Sequence, residues 1–246
     1  MTGSGQSSGP APSFTAAGVV NGASFASGGV VAGEIATLFG TNLTTQTGIN
    51  VASGLPLARD LLNVSVTVNG TSAAIFAVDN VNGQEQINFQ VPWEVSGKTA
   101  SIQVSDGAAT SAAVEVPVLG AQPAIFNYSS GGKTFGAILH SNYQLVDSAH
   151  PAKPGETVLI YCTGLGVVTS HPGDGEAGNS ETTVAKPVVA IGGYPAVVSF
   201  SGLAPGFVGL YQVNAQIASS VMSGNAPVAM VIAGGGNSNT VLLPIE

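Results

Sequence analysis

The feature that most constrains this chain is a strand-like segment that occurs twice, at residues 86–92 (QINFQVP) and 212–217 (QVNAQI). In both copies Gln, Asn and Gln alternate with apolar residues, which is the period-two pattern of a strand that buries one face. Each copy is therefore predicted to be a core strand of its own domain, with its apolar side chains turned inward and its amides turned outward.

Other parts of the chain repeat at nearly the same distance. The Gly-Glu pair at 33–34 recurs 122 positions later at 155–156, and the amide strand recurs 126 positions later. An offset that grows only by small loop insertions indicates an internal duplication. The predicted organisation is a flexible leader or linker over 1–15, a first sandwich over 16–120 and a second over 121–246.

The composition favours strands over helices. Charged residues make up 7% of the chain and 34 of its 246 residues are Gly, which suits short strands joined by tight turns. The first copy contains about seven short strands, the number in an immunoglobulin domain, with a loop predicted between Leu43 and Val64. We therefore predict an all-β fold of two tandem immunoglobulin-like β-sandwich domains that arose by duplication, with hairpin turns at Asn69-Gly70 and Gly192-Gly193.

Charge and hydropathy argue against binding to nucleic acid and against insertion into a membrane. Five basic residues against thirteen acidic ones give a net charge of -8 without any Lys/Arg cluster, which argues against nucleic acid. No apolar run reaches 18 residues, so membrane insertion is not predicted. The N-terminal residues lack the charged and apolar regions of a signal peptide, so an export signal is not expected in this sequence.

Several motifs carry a resemblance to known domains: GVVNGASF at 18–25, FGTNL at 39–43, YCTGLG at 161–166 and FSGLAPGFVGLYQVN at 200–214. With these motifs the chain resembles the uncharacterised C-terminal domain of acidobacterial secreted proteins, and each half is similar to immunoglobulin-like IPT/TIG domains. The resemblance implies a bacterial protein that is secreted or held at the cell surface, and a non-catalytic role. It supplies no catalytic residues.

The second copy has the longer connecting segments, which are a hairpin predicted at 136–146 and a polar loop at 170–183. A specific site is therefore expected in the second copy rather than in the first. The polar loop places Asp174, Glu176 and Glu181 among glycines, and carboxylate oxygens are the ligands that calcium prefers. These residues are weak calcium candidates, as is the segment 79–85. Both are predicted to be ordinary solvated loops, and no cofactor is expected.

Residues suited to catalysis are present but not in a catalytic arrangement. Cys162 falls in the middle of a predicted strand and is expected to be buried, far from the strained turn that presents a nucleophile. The histidines, His140, His150 and His171, lack the spacing of metal ligands. We predict that the protein is not an enzyme.

Two groups of residues are candidates for interaction. The outward amides could hydrogen-bond a glycan or a neighbouring sheet, because amides both donate and accept. Alternatively, they could serve only to keep the outer face of the sheet solvated. Trp93 and Tyr194 could stack on a sugar ring or pack in a core or domain interface. The amide candidates are Gln86, Asn88 and Gln90 in the first copy, and Gln212, Asn214 and Gln216 in the second.

The predicted function is that of a secreted or cell-surface structural and interaction module for adhesion, spacing or attachment, with a protein or polysaccharide as its partner. One alternative is a self-assembling subunit of an extracellular filament or surface layer, which would associate by strand addition from the N-terminal segment. The other alternative is a carbohydrate-binding module.

Overall fold

The structure is a computed structural model that describes residues 9–246, and within this range every regular element is a β-strand. The strands form four sheets that pack in pairs as two immunoglobulin-like sandwiches in tandem, which confirms the predicted fold class. No helix that could cross a membrane occurs in residues 9–246.

The first sandwich has two five-stranded sheets, ordered β1-β3-β8-β7-β4 and β2-β10-β9-β5-β6. Its strands are β1 (Ser13–Asn21), β2 (Val30–Val31), β3 (Ile35–Thr41), β4 (Gly48–Val51), β5 (Ser65–Val68), β6 (Thr71–Ser72), β7 (Ala74–Val81), β8 (Gln84–Gln90), β9 (Thr99–Ser105) and β10 (Val114–Leu119).

The second sandwich has one sheet ordered β11-β15-β19-β18, with β14 also paired to β15, and another ordered β12-β13-β22-β20-β16-β17, with β21 paired to β20. Its strands are β11 (Ala124–Ile125), β12 (Asn127–Ser130), β13 (Lys133–Gly136), β14 (Ile138–His140), β15 (Thr157–Thr163), β16 (Val188–Ile191), β17 (Tyr194–Pro195), β18 (Val197–Leu203), β19 (Tyr211–Gln216), β20 (Gly224–Ile232), β21 (Gly236–Asn237) and β22 (Val241–Ile245).

The amide-bearing strand lies at the centre of one sheet in each sandwich, as β8 and β19. Ile87 and Phe89 on β8 and Val213 and Ala215 on β19 are fully buried, each pair in the core of its own sandwich. Burying a Val, Ile or Phe side chain stabilises the fold by about 1.5–3 kcal/mol. The period-two alternation therefore gives each half a separate hydrophobic core.

Strand register shows the duplication independently of residue identity. Ile35 on β3 lies opposite Gln90 on β8, and Thr157 on β15 lies opposite Gln216 on β19. The offsets between these pairs, 157 − 35 = 122 and 216 − 90 = 126, are the offsets of the sequence repeat. Each sandwich also has a register shift at the matching place, between Ile75 and Ala77 on β7 and between Val198 and Phe200 on β18.

Two of the insertions that distinguish the second copy from the first are in β-strand connections. The paired residues Asn80 and Glu85 of β7 and β8 are separated by four residues, 81–84. The equivalent pair of β18 and β19, Leu203 and Tyr211, is separated by seven residues, 204–210. The hairpin of β12 and β13 is inserted between β11 and β14, whose counterparts in the first copy are the two ends of the single strand β1. Both insertions lie in the half that was expected to carry a specific site.

The predicted turns at Asn69-Gly70 and Gly192-Gly193 are confirmed. Each pair adopts positive φ angles, 50° and 79° in the first and 60° and 84° in the second, and joins a two-stranded hairpin. A two-residue turn with both φ angles positive matches the twist of the strands that it joins, and Gly and Asn adopt it at little cost. The hairpin predicted at 136–146 is also present, with Leu139 bridged to Leu145.

Three segments differ from the sequence expectations. The exposed strand β4 lies where a loop was predicted. Residues 79–85 form the end of β7, a turn at Asn82-Gly83 and the start of β8, rather than a solvated loop, and Asp79 is buried. β1 begins at Ser13, opposite Thr41, so Ser13 and Phe14 of the predicted leader pair within the first sandwich. Residues 1–8, on which the strand-addition hypothesis also rests, lie outside the described residues.

Candidate functional site

The polar loop 170–183 of the second sandwich lies against the first sandwich. The Gly175 N–H donates to Gln90 Oε1 at 2.7 Å, and the Leu57 N–H donates to the Gly175 carbonyl at 2.8 Å. Gly175 has a φ of +80°, and a Cβ at this position would lie 2.8 Å from the Leu57 carbonyl oxygen. A side chain is therefore excluded here both by backbone conformation and by contact.

Asp174, the preceding residue, strengthens this junction. Its carboxylate accepts the Trp93 N–H at 3.0 Å and lies 3.5 Å from Arg59 Nη1, and its side chain is 4% exposed. A hydrogen bond from a backbone amide to a carboxylate is stronger than one between neutral groups. We call residues 170–183, with their contacts to Leu57, Gln90 and Trp93, the interdomain clamp.

Trp93 is enclosed at the junction by residues of both sandwiches. Its ring stacks on His171 with centroids 5.1 Å apart and planes inclined by 16°, and a Cβ added to Gly33 would lie 2.2 Å from the ring. Trp93 is 7% exposed. The indole therefore packs in the domain interface, which was one of its two expected roles, and it is not available to stack on a sugar.

Glu34 lies next to the clamp as a buried carboxyl. Its two oxygens accept from the Val31 N–H at 2.9 Å and from Asn21 Nδ2 at 3.3 Å. Burial raises the pKa of Glu34 to about 8, although both hydrogen bonds act in the opposite direction. Asn21 Nδ2 also donates to the Gln122 carbonyl at 3.1 Å, so this group of residues joins the two sandwiches.

Beside the clamp is an open cleft of about 680 Å³ to which both sandwiches contribute. A volume of 300–1,000 Å³ is usual for a ligand site. We call it the aromatic cleft, and its lining residues are Ile35 and Phe76 from the first sandwich and Phe126, Ala137, Leu139, Tyr143, Tyr161, Pro205, Phe207, Val208, Leu210 and Gln212 from the second.

Strand alternation explains why the floor of the cleft is apolar. Ile138 and Ile160 point into the core of the second sandwich, so their neighbours Leu139 and Tyr161 project from the opposite face of the sheet. Phe76 comes from the irregular position between Ile75 and Ala77 of β7. A bulge changes the direction of a side chain at such a position.

The wall of the cleft is the three-residue insertion of the second copy. In segment 204–210 the Ala204 N–H donates to the Leu210 carbonyl, and the Phe207 carbonyl accepts from Gly178 of the clamp loop, both at 2.9 Å. Phe207 is 53% exposed, and Tyr143 at the hairpin tip is 67% exposed. Two aromatic side chains are thus held at the rim with their surfaces in solvent.

The cleft is electrically neutral. Within the described chain its lining includes no Asp, Glu, Lys, Arg or His. Burial raises the pKa of the Tyr161 phenol, with a smaller contribution from the Tyr143 phenol. The rings of Tyr161 and Phe207 are 6.4 Å apart at 53°, and the amide of Gln212 is the main polar group of the lining.

The amide candidates of the second copy lie on the outer face of β19, beside the cleft. Gln212 lines the cleft and donates to Asn214 Oδ1 at 2.7 Å, whereas the exposed Gln216 donates to the Gly155 carbonyl at 3.0 Å. Gln212 is only 7% exposed. Of the predicted interaction residues, Gln212 is therefore the one that the structure places in the cleft.

In the first copy the amides are occupied. Gln86 and Asn88 donate to the Asp79 carboxylate, at 3.2 and 3.5 Å. Gln90 projects from its own sandwich as expected, but the clamp covers it and its exposure is 0%. The expectation of an open amide strip therefore needs correction at Gln90, which the other half covers, and at Gln212, which is buried beside the cleft.

The acidic candidates are not brought together as ligands. Glu176 accepts from the Gly173 N–H at 3.0 Å and Glu181 from the Asn179 N–H at 2.6 Å, while Asp174 belongs to the clamp. Residues 9–246 contain no group of three His, Cys, Asp or Glu side chains that could hold a metal ion. Tyr194 lies on β17, 40% exposed and outside the aromatic cleft.

Cys162 is fully buried, as expected, and burial raises the pKa of its thiol. A thiol that is kept protonated in an apolar core is inert as a nucleophile.

The aromatic residues of the cleft were not among the sequence candidates. A signal for them was present in the repeat itself, because the offset between the copies increases between β18 and β19, where the connecting segment APGFVGL is three residues longer than in the first copy. Connecting loops carry binding residues more often than the strands that they join. The contribution of Phe76 could not be foreseen, since it depends on how the two sandwiches pack together.

No family model and no curated protein matches the chain. Among solved structures it is similar to SGBP-B of the Bacteroides ovatus mixed-linkage glucan utilization locus, in complex with a mixed-linkage heptasaccharide (12% identity, 88% of this chain and 43% of that chain, TM-score 0.32). It is also similar to the plexin A4 extracellular region (12%, 96% and 18%, 0.31) and to titin immunoglobulin tandem domains (11%, 88% and 89%, 0.25). The chain thus spans less than half of the first two structures, and likeness at these TM-scores transfers no binding property.

Proposed function

We propose that this protein is a non-catalytic interaction module of a secreted or cell-surface protein, and that its partner binds in the aromatic cleft. The observation that carries the proposal is that both sandwiches build one cleft while the clamp holds them together. A spacer needs only the clamp, whereas a binding module also needs exposed anchor residues. Exposed aromatic residues such as Phe207 and Tyr143 are the type enriched in protein interfaces.

The chemistry of the lining favours apolar groups of the partner over sugar hydroxyls. A site that binds hydroxyls must satisfy each one with a hydrogen bond, because an unpaired polar group costs free energy on burial. Gln212 and two phenols are few donors and acceptors for a cleft of about 680 Å³. The carbohydrate-binding alternative is correspondingly less well supported, since Trp93 is buried and Tyr194 lies elsewhere.

Support for a non-catalytic role comes from the residues otherwise suited to catalysis. Cys162 is buried with a raised thiol pKa, His171 stacks on Trp93, and His140 lies against Glu156. Each of these groups has a structural partner or a core environment that accounts for it.

Titration with Nile red, a neutral fluorescent apolar probe, tests the proposal. We expect one saturable site in the wild-type protein, weakened about tenfold or more by Phe207→Ser because an apolar anchor is removed. Phe25→Ser is the matched control, since Phe25 is 58% exposed and forms a similar tilted pair with Phe39 at 6.0 Å, outside the cleft. Equal binding by both variants, or no saturable binding, would contradict the proposal.

Antibody labelling of intact cells that produce the protein tests whether it lies at the cell surface.

A second candidate, self-association, is favoured by the edge strand β4. Ile49 and Val51 are 71% and 68% exposed, and the strand carries no Lys or Pro that would discourage pairing. If β4 pairs with a second copy, Ile49→Lys reduces the mass measured by light scattering at high concentration. A monomer at every concentration would exclude this role for β4.

A further inference from the structure

The class of ligand can be narrowed from what the aromatic cleft offers. An anionic ligand needs several donors or a basic side chain, and the part of the lining that donates consists of Gln212 and two phenols. The chain as a whole has a net charge of -8, which repels anions and attracts cations. Anionic ligands are therefore disfavoured, which leaves neutral apolar groups and apolar cations.

The aromatic rings distinguish between these two classes. Phe76, Phe126, Tyr143, Tyr161 and Phe207 all line the cleft. The face of an aromatic ring carries partial negative charge, so a cation placed over it is attracted, and cages of such rings bind quaternary ammonium groups. A trialkylammonium group has no N–H to satisfy, which matches a lining with few hydrogen-bonding groups.

The spacing of the Tyr161 and Phe207 rings is also compatible with a bound cation. Tyr161 and Phe207 are tilted by 53° with centroids 6.4 Å apart, so the two rings are not stacked face to face. A cation beside the pair can lie within about 6 Å of both ring centres, the range over which the attraction is effective. Burial, which raises the pKa of the Tyr161 phenol, indicates that this ring is partly shielded from water.

We propose that the aromatic cleft binds a trialkylammonium group, with Tyr161 and Phe207 as its principal contacts. This inference rests on the proposed function and names the chemical group that the partner presents. The same group occurs in soluble choline compounds and in the headgroup of phosphatidylcholine, and binding to lipid vesicles distinguishes these two sources.

The test compares choline with its neutral isostere dimethylbutanol, in which carbon replaces the charged nitrogen, by amide chemical-shift titration of the full chain. We expect choline to bind about tenfold more tightly, with shifts at the cleft residues. Phe207→Leu keeps an apolar side chain without the ring and should weaken choline binding about tenfold, while Phe25→Leu should leave it unchanged. Because Phe207 is more than half exposed, this replacement is compatible with folding.

Equal affinity for choline and dimethylbutanol would overturn the cation proposal while leaving an apolar binding cleft. Nile red binding without choline binding would do the same, whereas the absence of Nile red binding would contradict the proposed function itself. Cosedimentation with phosphatidylcholine vesicles, but not with phosphatidylglycerol vesicles, would identify the lipid headgroup as the source. Binding of free choline without cosedimentation would identify a soluble ligand.

Discussion

His140 Nδ1 lies 2.5 Å from Glu156 Oε1, at the position where the first sandwich pairs Asn21 with Glu34. The two glutamates are 122 residues apart and accept from equivalent backbone N–H groups. In the second copy the pair is partly exposed and ionisable, whereas in the first copy it is buried at the junction. The same position of the duplicated sandwich therefore holds a neutral amide beside a buried carboxyl in the first half and an ionisable His–Glu pair in the second.

Glu34 should make stability depend on pH. Its pKa rises from 4.5 to about 8 on folding, so the folded state retains a proton that the unfolded state loses. The stabilisation is complete below pH 4.5 and is lost as pH rises through 8, and it amounts to on the order of 5 kcal/mol. We expect the free energy of unfolding of the wild-type protein, measured with urea, to fall over this range relative to that of Glu34→Gln.

Glu34→Gln should be less stable than the wild type near pH 4.5, because its Nε2 cannot accept from Asn21, but its stability should vary less with pH. Glu115→Gln, which replaces an exposed carboxylate, is the control and should retain the wild-type slope. An unchanged slope in Glu34→Gln would mean that Glu34 is ionised in the folded protein.

The His140–Glu156 pair should contribute in a different pH window. Burial alone would lower the pKa of His140, but the hydrogen bond to Glu156, the His150 carbonyl and nearby carboxylates raise it above 6.5. The pair therefore stabilises the fold fully below pH 6.5, and its contribution is lost as pH rises through the folded pKa. His140→Asn, the residue of the first copy, should cost about 0.5–1 kcal/mol at pH 6 and much less at pH 9 in urea unfolding. A cost independent of pH would contradict an ion pair.

The clamp should contribute more stability than the rest of its loop. Asp174→Ala leaves the Trp93 N–H without its acceptor and Arg59 without its ion pair, at a cost of about 1–3 kcal/mol. Glu181→Ala is the matched control, since the Glu181 carboxylate accepts from Asn179 in its own loop and its loss should cost less than about 0.5 kcal/mol. Trp93, the single tryptophan, reports unfolding by fluorescence. Similar costs for the two variants would argue against a clamp.

Cys162 should react with thiol reagents only when the second sandwich unfolds. It is fully buried and burial raises its thiol pKa, so both access and thiolate formation are suppressed in the folded state. The labelling rate should therefore rise with urea in parallel with unfolding. Rapid labelling in buffer without urea would show that this core opens locally.

The fold could be predicted from the sequence because its signals are local. The alternation in 86–92 and 212–217 and the turns at Asn69-Gly70 and Gly192-Gly193 are each decided by residues close in sequence. Strand β4 could not be predicted, because Ile49 and Val51 are exposed and an edge strand lacks the alternation that burial produces.

The site was less predictable because it depends on contacts between the halves. Gln90 and Trp93 have the residue types of an exposed binding surface, yet a loop more than 80 positions away covers both. Phe207 lies in a motif that was noticed for its resemblance to other domains, but only the packing of the sandwiches shows that it walls a cleft with Phe76.

Native-state amide hydrogen exchange at Gly175 and Trp93 tests most directly whether the two sandwiches form one unit with a shared cleft. Both amides donate across the junction, to Gln90 and Asp174. These two amides should exchange much more slowly than the amides of exposed loops, because opening them requires separating the sandwiches. Exchange at the rate of an exposed loop, with β8 and β15 still protected, would show that the halves move independently and that the shared cleft does not persist in solution.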